Sequence, residues 1–282
     1  MHNFFRLSRQ AAKRSLLALA LVAGLSLPAM PQARLTTRHE TDGARVVVNF
    51  PAYRLYLYHG PELIKTYRIG IGMKSFQPVF GEMLAPQIIY NPSWTPPDSP
   101  WARGRKRTRP NQRGNPLGRV KLPLYGDYLI HGGARPSDLG RAVSHGCVRM
   151  LNVDVLDLSR RIAEIQNGAE GQALARRAER VRGRSVPLKL DAPLVVDFRY
   201  DLATIEPGQR LRLYPDVYRF GMDRRQAVEA ALDQARLSWG DLTEKQRAII
   251  NRALKQPRQS HTISLSDEAP AAKRRRVQAG DR

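Results

Sequence analysis

Short apolar segments with an alternating pattern dominate the first part of the chain. Residues 46–50 form an apolar run, and residues 54–58 alternate leucine with tyrosine before a turn at 59–62. Residues 63–71 return with a similar pattern, and residues 87–90 are again mostly apolar. Short runs of this kind, separated by turn residues, predict β-hairpins rather than helices.

A second set of strands is predicted further along the chain. Residues 125–130 form a strand that leads into His131. Residues 194–201 alternate apolar and polar positions, and residues 209–214 form another strand after a turn at 206–208. The 20 prolines and 21 glycines also favour a fold with many turns over a helical bundle.

A helical period begins after residue 150. Asn152 is predicted to cap this helix, and Asp154 suits the positive end of its dipole. The basic segment 167–184 is predicted to be helical as well, with its arginines in solvent. The apolar positions that make one buried stripe are Val155, Leu158, Ile162 and Ile165.

Two more helices are predicted near the end of the sequence. One begins near Asp223, and the other begins at Thr243, which forms a capping box with Gln246. From about residue 256 the chain is polar and contains the basic run Lys273–Arg276, which predicts a disordered tail.

The N-terminus has the pattern of a secretory signal peptide. A basic start (Arg6 to Arg14) is followed by the apolar stretch Leu16–Leu27, which is too short to span a bilayer comfortably, since that takes about 20 residues. Small residues follow, and cleavage is predicted after Ala29 or Ala33. Residues 1–33 therefore predict export to the periplasm or cell envelope, with an uncleaved amphipathic anchor as the alternative.

The charge of the chain is strongly positive. Its 282 residues include 47 Lys and Arg against 25 Asp and Glu, a formal net charge of +22. Such a surface favours polyanions or acidic substrates, so nucleic acid, an anionic membrane and carboxylate-rich cell-wall peptide are all candidates. Eight of the cations lie between Arg103 and Lys121, inside a proline-rich loop predicted over residues 91–123. A loop this long is usually functional or disordered.

The candidate chemistry lies in the segment from His131 to Met150. Its one thiol, Cys147, is the single cysteine of the chain, which excludes an intramolecular disulfide. A thiol needs a partner to hold it as thiolate near neutral pH, and imidazole is the usual one. His131 and His145 are equal candidates for that base by spacing alone. Neighbouring glycines allow backbone N–H groups to approach a reacting carbonyl.

This segment resembles a known family signature. His131-Gly132-Gly133, followed by Ser144-His145-Gly146-Cys147-Val148-Arg149, resembles the motif of the L,D-transpeptidase family, also called YkuD or ErfK/YbiS-like proteins. The resemblance covers about residues 45–218. Further similar segments are Tyr67–Gly72, Trp94-Thr95-Pro96 and Asn115–Gly118.

The resemblance implies a role for each motif residue. Cys147 is implied to be the nucleophile, and His131 the general base, oriented by the backbone carbonyl of Gly132. The residues implied to form or support the oxyanion hole are Ser144, His145, Gly146 and Gly132. Those implied to bind substrate are Arg149, Trp94 and Tyr128. Neither a metal nor a cofactor is implied, and the chain has no cysteine–histidine cluster of the kind that holds zinc.

The implied fold is α+β and mainly β, with helices after the catalytic motif and a helical C-terminal extension. The predicted domains are a signal peptide at 1–33 and a catalytic domain at 42–218, which contains the basic loop 91–123 and a basic insert at 167–185. Residues 219–282 are predicted to be a helical extension with a disordered basic tail.

The implied activity is the formation of 3→3 cross-links in peptidoglycan by acyl transfer from a tetrapeptide stem. The partners are then stem peptides, with a lysine of an anchored outer-membrane protein as an alternative acceptor. Water as acceptor would make the chain an L,D-carboxypeptidase. A non-enzymatic protein that binds cell wall or nucleic acid is the alternative from another class, although nucleic acid is not expected. The oligomeric state is left open.

Overall fold

The computed structural model describes residues 43–266. The predicted signal peptide and the basic run Lys273–Arg276 lie outside the described residues. Among the described residues, no helix combines the length and the apolar character that crossing a membrane requires.

An eight-stranded sheet forms the centre of the fold. The first ten strands are β1 (Ala44–Asn49), β2 (Arg54–His59), β3 (Glu62–Arg68), β4 (Ile71–Gly72), β5 (Gly81–Tyr90), β6 (Val120–Pro123), β7 (Leu129–His131), β8 (Ala142–Ser144), β9 (Val148–Arg149) and β10 (Val186–Arg199). The order in the large sheet is β3-β2-β1-β10-β5-β6-β7-β9, while β4 and β8 pair separately. The mainly β fold predicted from the sequence is confirmed.

The middle of the sheet is built on β10, which pairs parallel with β1 and antiparallel with β5. The alternation predicted over residues 194–201 is confirmed, since Leu194, Val196 and Phe198 are buried in the core. The strand begins earlier than predicted, at Val186, and a register shift interrupts it between Lys189 and Leu194. That irregularity breaks the period-2 pattern that would have revealed the first part of the strand.

One long helix, α1 (Asn152–Arg180), packs on the sheet and breaks at Gly168, where φ is 63°. The predicted stripe is confirmed, because Val155, Leu158 and Ile162 are fully buried. The prediction that Asn152 caps the helix is wrong. Leu151 occupies the cap position, and the Asn152 side chain instead accepts hydrogen bonds from two amides in neighbouring loops.

The loop 91–123 is more ordered than its composition predicts. It contains a 3-10 turn at Pro100–Ala102, and its last residues form β6. Trp94 and Thr108 pair through their backbones, so the two sides of the loop are held together. The loop therefore has a fixed path that brings its aromatic and basic residues close to β7.

A second hydrophobic core lies in the C-terminal part. It is built from β11 (Ala203–Glu206), β12 (Arg210–Leu213), α2 (Arg224–Gln234), α3 (Glu244–Leu254) and β13 (His261–Ser264). The predicted helix starts are confirmed, since Asp223 caps α2 and Thr243 forms a capping box with Gln246. The prediction of disorder from about residue 256 is wrong for β13, which pairs with β12 and buries Ile263.

The second core includes residues on both sides of the predicted boundary at 218/219. Leu211 and Leu213 of the β12 strand belong to it, whereas Tyr218 belongs to the core of the large sheet. The chain therefore passes from one core to the other and back. The domain boundaries remain a prediction.

Candidate active site

The sheet brings the two ends of the motif together. Strands β7 and β9 pair in parallel, with Ile130 opposite Val148 and His131 opposite Arg149. Ile130 and Val148 are fully buried in the core. Because side chains alternate along a strand, His131 and Arg149 lie on the opposite face. Cys147 directly precedes β9, so the same alternation, carried back by one residue, predicts its side chain on the face of His131.

The ring of His131 has a defined tautomer. Its Nδ1 lies 2.7 Å from the carbonyl oxygen of Gly132. A carbonyl oxygen can only accept, so Nδ1 carries the hydrogen and donates it. In the neutral ring, Nε2 is then left as an acceptor, which is the form that a general base requires. The role of Gly132 in orienting His131 thus has a geometric basis.

His131 is held neutral by its surroundings. The side chain is only 3% exposed. Burial lowers its pKa to about 4; the hydrogen bond to Gly132 opposes this shift, while the nearby charges of Arg149 and Lys121 add to it. Lys121 and Arg149 are the residues directly opposite His131 on the two adjacent strands. At neutral pH the ring is therefore uncharged and able to accept a proton.

The thiol of Cys147 is also favoured in its neutral form. Burial raises its pKa, against the opposing effects of the Leu129 amide and of Arg149. Its Sγ lies 3.5 Å from the carbonyl oxygen of Asp127, to which the thiol donates. The thiolate expected from the sequence is thus not the favoured resting form. The direction of both shifts favours a neutral thiol and a neutral imidazole as the resting forms.

The turn before the thiol exposes backbone donors. Ser144 is buried, and its hydroxyl donates to the carbonyl oxygen of Cys147 at 2.5 Å. Gly146 has a φ of 109°, which only glycine adopts without strain. Across residues 43–266, the amides of His145, Gly146 and Cys147 have no hydrogen-bond acceptor. Unpaired amides of this kind can receive a developing negative oxygen.

His145 is held between two aromatic rings. It stacks on Trp101 with ring centroids 4.0 Å apart and an interplanar angle of 10°. Phe76 meets the same ring edge-on at 4.6 Å. Arg105 lies over the Trp101 ring, with its Cζ 5.6 Å from the ring centroid. The loop 91–123 thus contacts the motif through Trp101, and His145 has a packing partner on two sides.

The predicted substrate-binding residues have different positions. The Nε of Arg149 is buried and has no hydrogen-bond partner among the described residues. The ring of Tyr128 packs against Gly146, and its hydroxyl donates to the carbonyl oxygen of Gln77 at 3.2 Å. Trp94 instead pairs with Thr108 inside the loop, so the indole that contacts the motif is that of Trp101. The role predicted for Trp94 remains a prediction.

The floor of the turn is tightly packed. A Cβ added to Gly72 would lie 3.0 Å from the Cα of Gly146 and 2.4 Å from the carbonyl oxygen of Phe76. Tyr218, fully buried, donates from its hydroxyl to the carbonyl oxygen of Gly72 at 2.8 Å. A residue 71 positions downstream of Cys147 therefore supports the strand on which the turn rests.

Several residues around the site could not be found from the sequence. Lys121 was visible only as one of eight loop cations, because its position opposite His131 depends on strand register. Trp101 gave no signal apart from being aromatic. Tyr218 lies in a segment whose path between the two cores has no local signature. Each of the three is brought to the site by long-range contacts.

Comparison with known proteins identifies the family. The model of the L,D-transpeptidase catalytic domain (YkuD) matches residues 43–184. The putative L,D-transpeptidase YkuD of Bacillus licheniformis is 36% identical over 121 residues, which cover 43% of this chain and 61% of that protein. The probable L,D-transpeptidase YcfS of Escherichia coli K12 is 32% identical over 130 residues, 40% of this chain and 39% of that protein. The chain therefore spans less than two thirds of these relatives.

A solved L,D-transpeptidase from Mycobacterium smegmatis is also similar, with a TM-score of 0.32 and 13% identity over 55% of this chain and 58% of that chain. The family match covers half of the sequence and includes the whole segment from His131 to Arg149. The chain belongs to the L,D-transpeptidase (YkuD) family.

Proposed function

We propose that this chain is a cysteine acyltransferase that modifies peptidoglycan stem peptides, with Cys147 as nucleophile and His131 as base. One observation carries the proposal. The Nδ1 hydrogen of His131 is donated to Gly132, which leaves Nε2 as an acceptor, and strand alternation predicts Cys147 on the same face of the sheet. Family membership supports the reaction class, and the unpaired amides of the turn support a tetrahedral intermediate.

The proposed first half-reaction transfers an acyl group to sulfur. Cys147 Sγ attacks the carbonyl carbon of the third residue of a tetrapeptide stem, while its proton passes to Nε2 of His131. The carbonyl oxygen becomes negative and is stabilised by the amides of residues 145–147. Collapse of this intermediate breaks the amide bond to the terminal D-alanine, whose nitrogen takes the proton from His131. A thioester and free D-alanine result.

The second half-reaction returns the enzyme to its starting state. An amine of a second stem peptide attacks the thioester and gives up a proton to His131, and the sulfur leaves and recovers that proton. The product is a 3→3 cross-link. Attack by water would give a tripeptide instead, and attack by a protein lysine would attach that protein to the wall. We propose the 3→3 cross-link among these outcomes because the family resemblance implies it.

Substrate recognition is proposed to depend on cations beside the base. Arg149 and Lys121 flank His131, and the Nε of Arg149 is buried without a partner. A stem-peptide carboxylate would satisfy that group and offset the repulsion between the two cations. Trp94 and Tyr128 are the further substrate contacts proposed. The arginines of the loop 91–123 are proposed to hold the other carboxylates of the stem.

The proposed location is the periplasm or cell envelope, reached through the N-terminal signal peptide. The stem peptides that supply the substrate are found in that compartment. Residues 219–282 are proposed to form an extension of the catalytic domain, for which no catalytic role is suggested.

The products distinguish these outcomes. Purified protein would be incubated with tetrapeptide-rich sacculi, which are then digested to muropeptides and separated by mass spectrometry. We expect dimers joined between third stem residues, and their absence from a Cys147→Ala sample. Tripeptides without dimers would indicate a carboxypeptidase, and lysine adducts would indicate protein attachment. Unchanged muropeptides with active control enzyme present would contradict the proposed function.

A further inference from the structure

A cleft lies far from the thiol, between the large sheet and the second core. Its volume is about 470 Å³, within the range of pockets that bind small molecules. Its floor is the outer face of the sheet at β1, β2 and β3, and its walls come from β11, β12 and α2. From β1 to β7 there are four strand spacings, or roughly 20 Å along the sheet. The cleft is therefore separate from the candidate active site.

The floor of the cleft follows from strand alternation. Val46 and Val48 of the β1 strand face the core, so Val47 and Asn49 face the cleft. The aromatic residues of the floor are Tyr56 and Tyr58, two positions apart on the next strand. Ordinary packing would fill such a face with apolar side chains of the second core. Here the space is left open and is bordered by aromatic and polar groups.

Many polar groups in the cleft lack protein partners. Tyr58, Thr66, Arg210 and Gln234 line it, and within residues 43–266 none of the four has a side-chain hydrogen bond. The carboxylate of Asp201, at the rim of the same space, accepts none there either. Five polar side chains without a protein partner thus border one concavity. Thr66, Arg210 and Gln234 are exposed, so all five groups are accessible to a ligand in the cleft.

The charges in the cleft balance, unlike those of the chain as a whole. Two arginines, Arg199 and Arg210, and two carboxylates, Asp201 and Glu206, line the cleft. Arg199 also pairs with Asp197 and Glu206 with Arg212, so Arg210 and Asp201 are the two charged groups of the lining without an ion pair among the described residues. The chain carries a net charge of +22, so a neutral concavity is a local exception. A polyanion would meet the carboxylates, and a polycation would meet the guanidinium groups. The balance favours an uncharged ligand that can both donate and accept hydrogen bonds.

We propose that this cleft binds a neutral oligosaccharide. Tyrosine rings offer flat apolar faces to the C–H groups of a sugar, and the planar amide, carboxylate and guanidinium groups can each bond a pair of neighbouring hydroxyls. The volume accommodates a ligand of about disaccharide size. If the proposed function holds, the natural ligand is the glycan strand that carries the stem peptides. The cleft would then hold the polymer while the distant thiol acts on its peptide.

Binding would be tested with chitotetraose, an uncharged chain of four N-acetylglucosamine units. Backbone amide signals of the full-length protein would be followed by NMR during titration, in the wild type and in Cys147→Ala. We expect saturable shifts at cleft residues in both proteins, with equal affinity. The double variant Arg210→Ala/Gln234→Ala should weaken binding at least fivefold at an unchanged melting temperature. The matched control is Gln256→Ala/Arg258→Ala, which changes the same residue types at exposed positions outside the cleft.

The outcome separates this inference from the proposed function. Acyl transfer on a free tetrapeptide, which carries no glycan, should be the same in the wild type and the cleft variant. Absence of saturable shifts, shifts confined to other surfaces, or equal weakening by the control variant would overturn the glycan site. Binding without any acyl transfer would contradict the proposed function and leave the cleft intact. Binding of a stem peptide in the cleft in place of the sugar would also overturn the proposal.

Discussion

The turn around Cys147 and the C-terminal core are built in opposite ways. The turn rests on strands of two or three residues, β7, β8 and β9, whose conformation depends on partners far along the chain. The C-terminal core has helices with their own caps, at Asp223 and Thr243. Local signals therefore specify the second region, while tertiary contacts impose the first.

The comparison explains where backbone amides remain unpaired. Among the described residues, buried side-chain nitrogens without a partner occur in both regions: Nε of Arg149 near the turn, and Nε and Nη2 of Arg224 and Nε2 of His261 in the second core. Around the thiol, three backbone amides and the Nε of Arg149 have no acceptor among the described residues. At the helix starts of the second core, side chains satisfy the first amides. An unsatisfied polar group lowers stability, so its presence beside the proposed nucleophile fits a site that a substrate completes. Changes at the turn should then alter rates, and changes in the second core should alter stability.

The largest expected effect is that of removing the base. His131→Gln keeps a polar side chain of similar size but loses the imidazole acceptor that is proposed to take the thiol proton. We expect kcat/KM for acyl transfer to fall about 10²–10⁴-fold, the usual contribution of a general base. The matched variant His145→Gln should cost much less, because that ring packs between Phe76 and Trp101. Equal losses in both variants, measured with a tetrapeptide donor, would contradict the assignment of the base.

A large loss of stability, without a loss of rate, is expected from a change in the second core. Leu211 is fully buried there, so Leu211→Ala should lower the free energy of unfolding by about 2–5 kcal/mol. Urea unfolding followed by circular dichroism would measure it. At low temperature, where the variant is still folded, acyl transfer should be near the wild-type rate. A rate loss as large as that of His131→Gln would show that the two regions are not separable in function.

A smaller effect should connect the two regions. Tyr218→Phe removes the hydroxyl that donates to the carbonyl of Gly72, beneath the turn. The orphaned carbonyl should cost about 1–3 kcal/mol in unfolding free energy. We also expect kcat to fall severalfold with little change in KM, because the turn loses support rather than a substrate contact. Tyr214→Phe, at a tyrosine that bonds Thr204 instead, is the control and should leave kcat unchanged. A change in KM alone would argue against a supporting role.

The smallest expected effect is a displacement of the pH profile. The pKa of His131 is lowered to about 4, so acylation should decline only as the pH falls towards that value and the ring becomes protonated. Lys121→Met removes one of the charges that disfavour the protonated ring, so its pKa should rise and the acid limb should move to higher pH. Single-turnover acylation measured between pH 3.5 and 7 would detect this. A displacement in the opposite direction would contradict the electrostatic account.

The contrast between local signals and tertiary contacts also explains how much of the fold could be predicted from the sequence. The strands at 46–50 and 54–58 and the caps at Asp223 and Thr243 carry local signals, and the structure confirms them. The β13 strand was missed because only Ile263 and Leu265 of that segment are apolar enough to enter the core.

The site itself was predictable only in part. The motif from His131 to Arg149 could be recognised, but its surroundings could not. Lys121 and Trp101 reach the motif through strand register and the path of the loop, neither of which leaves a periodic pattern. The misassigned cap at Asn152 has the same origin, since its side chain bonds loops that lie 19 and 33 residues away.

The most direct test of the proposed chemistry is the intact mass of the protein after exposure to a carbapenem, whose strained β-lactam carbonyl acylates nucleophiles. We expect the wild type to gain one adduct, located on Cys147 by peptide mapping. His131→Gln should form it much more slowly, and Cys147→Ala should form none. An unmodified wild type that is still folded, or an adduct of equal yield in Cys147→Ala, would contradict the assignment of Cys147 as nucleophile.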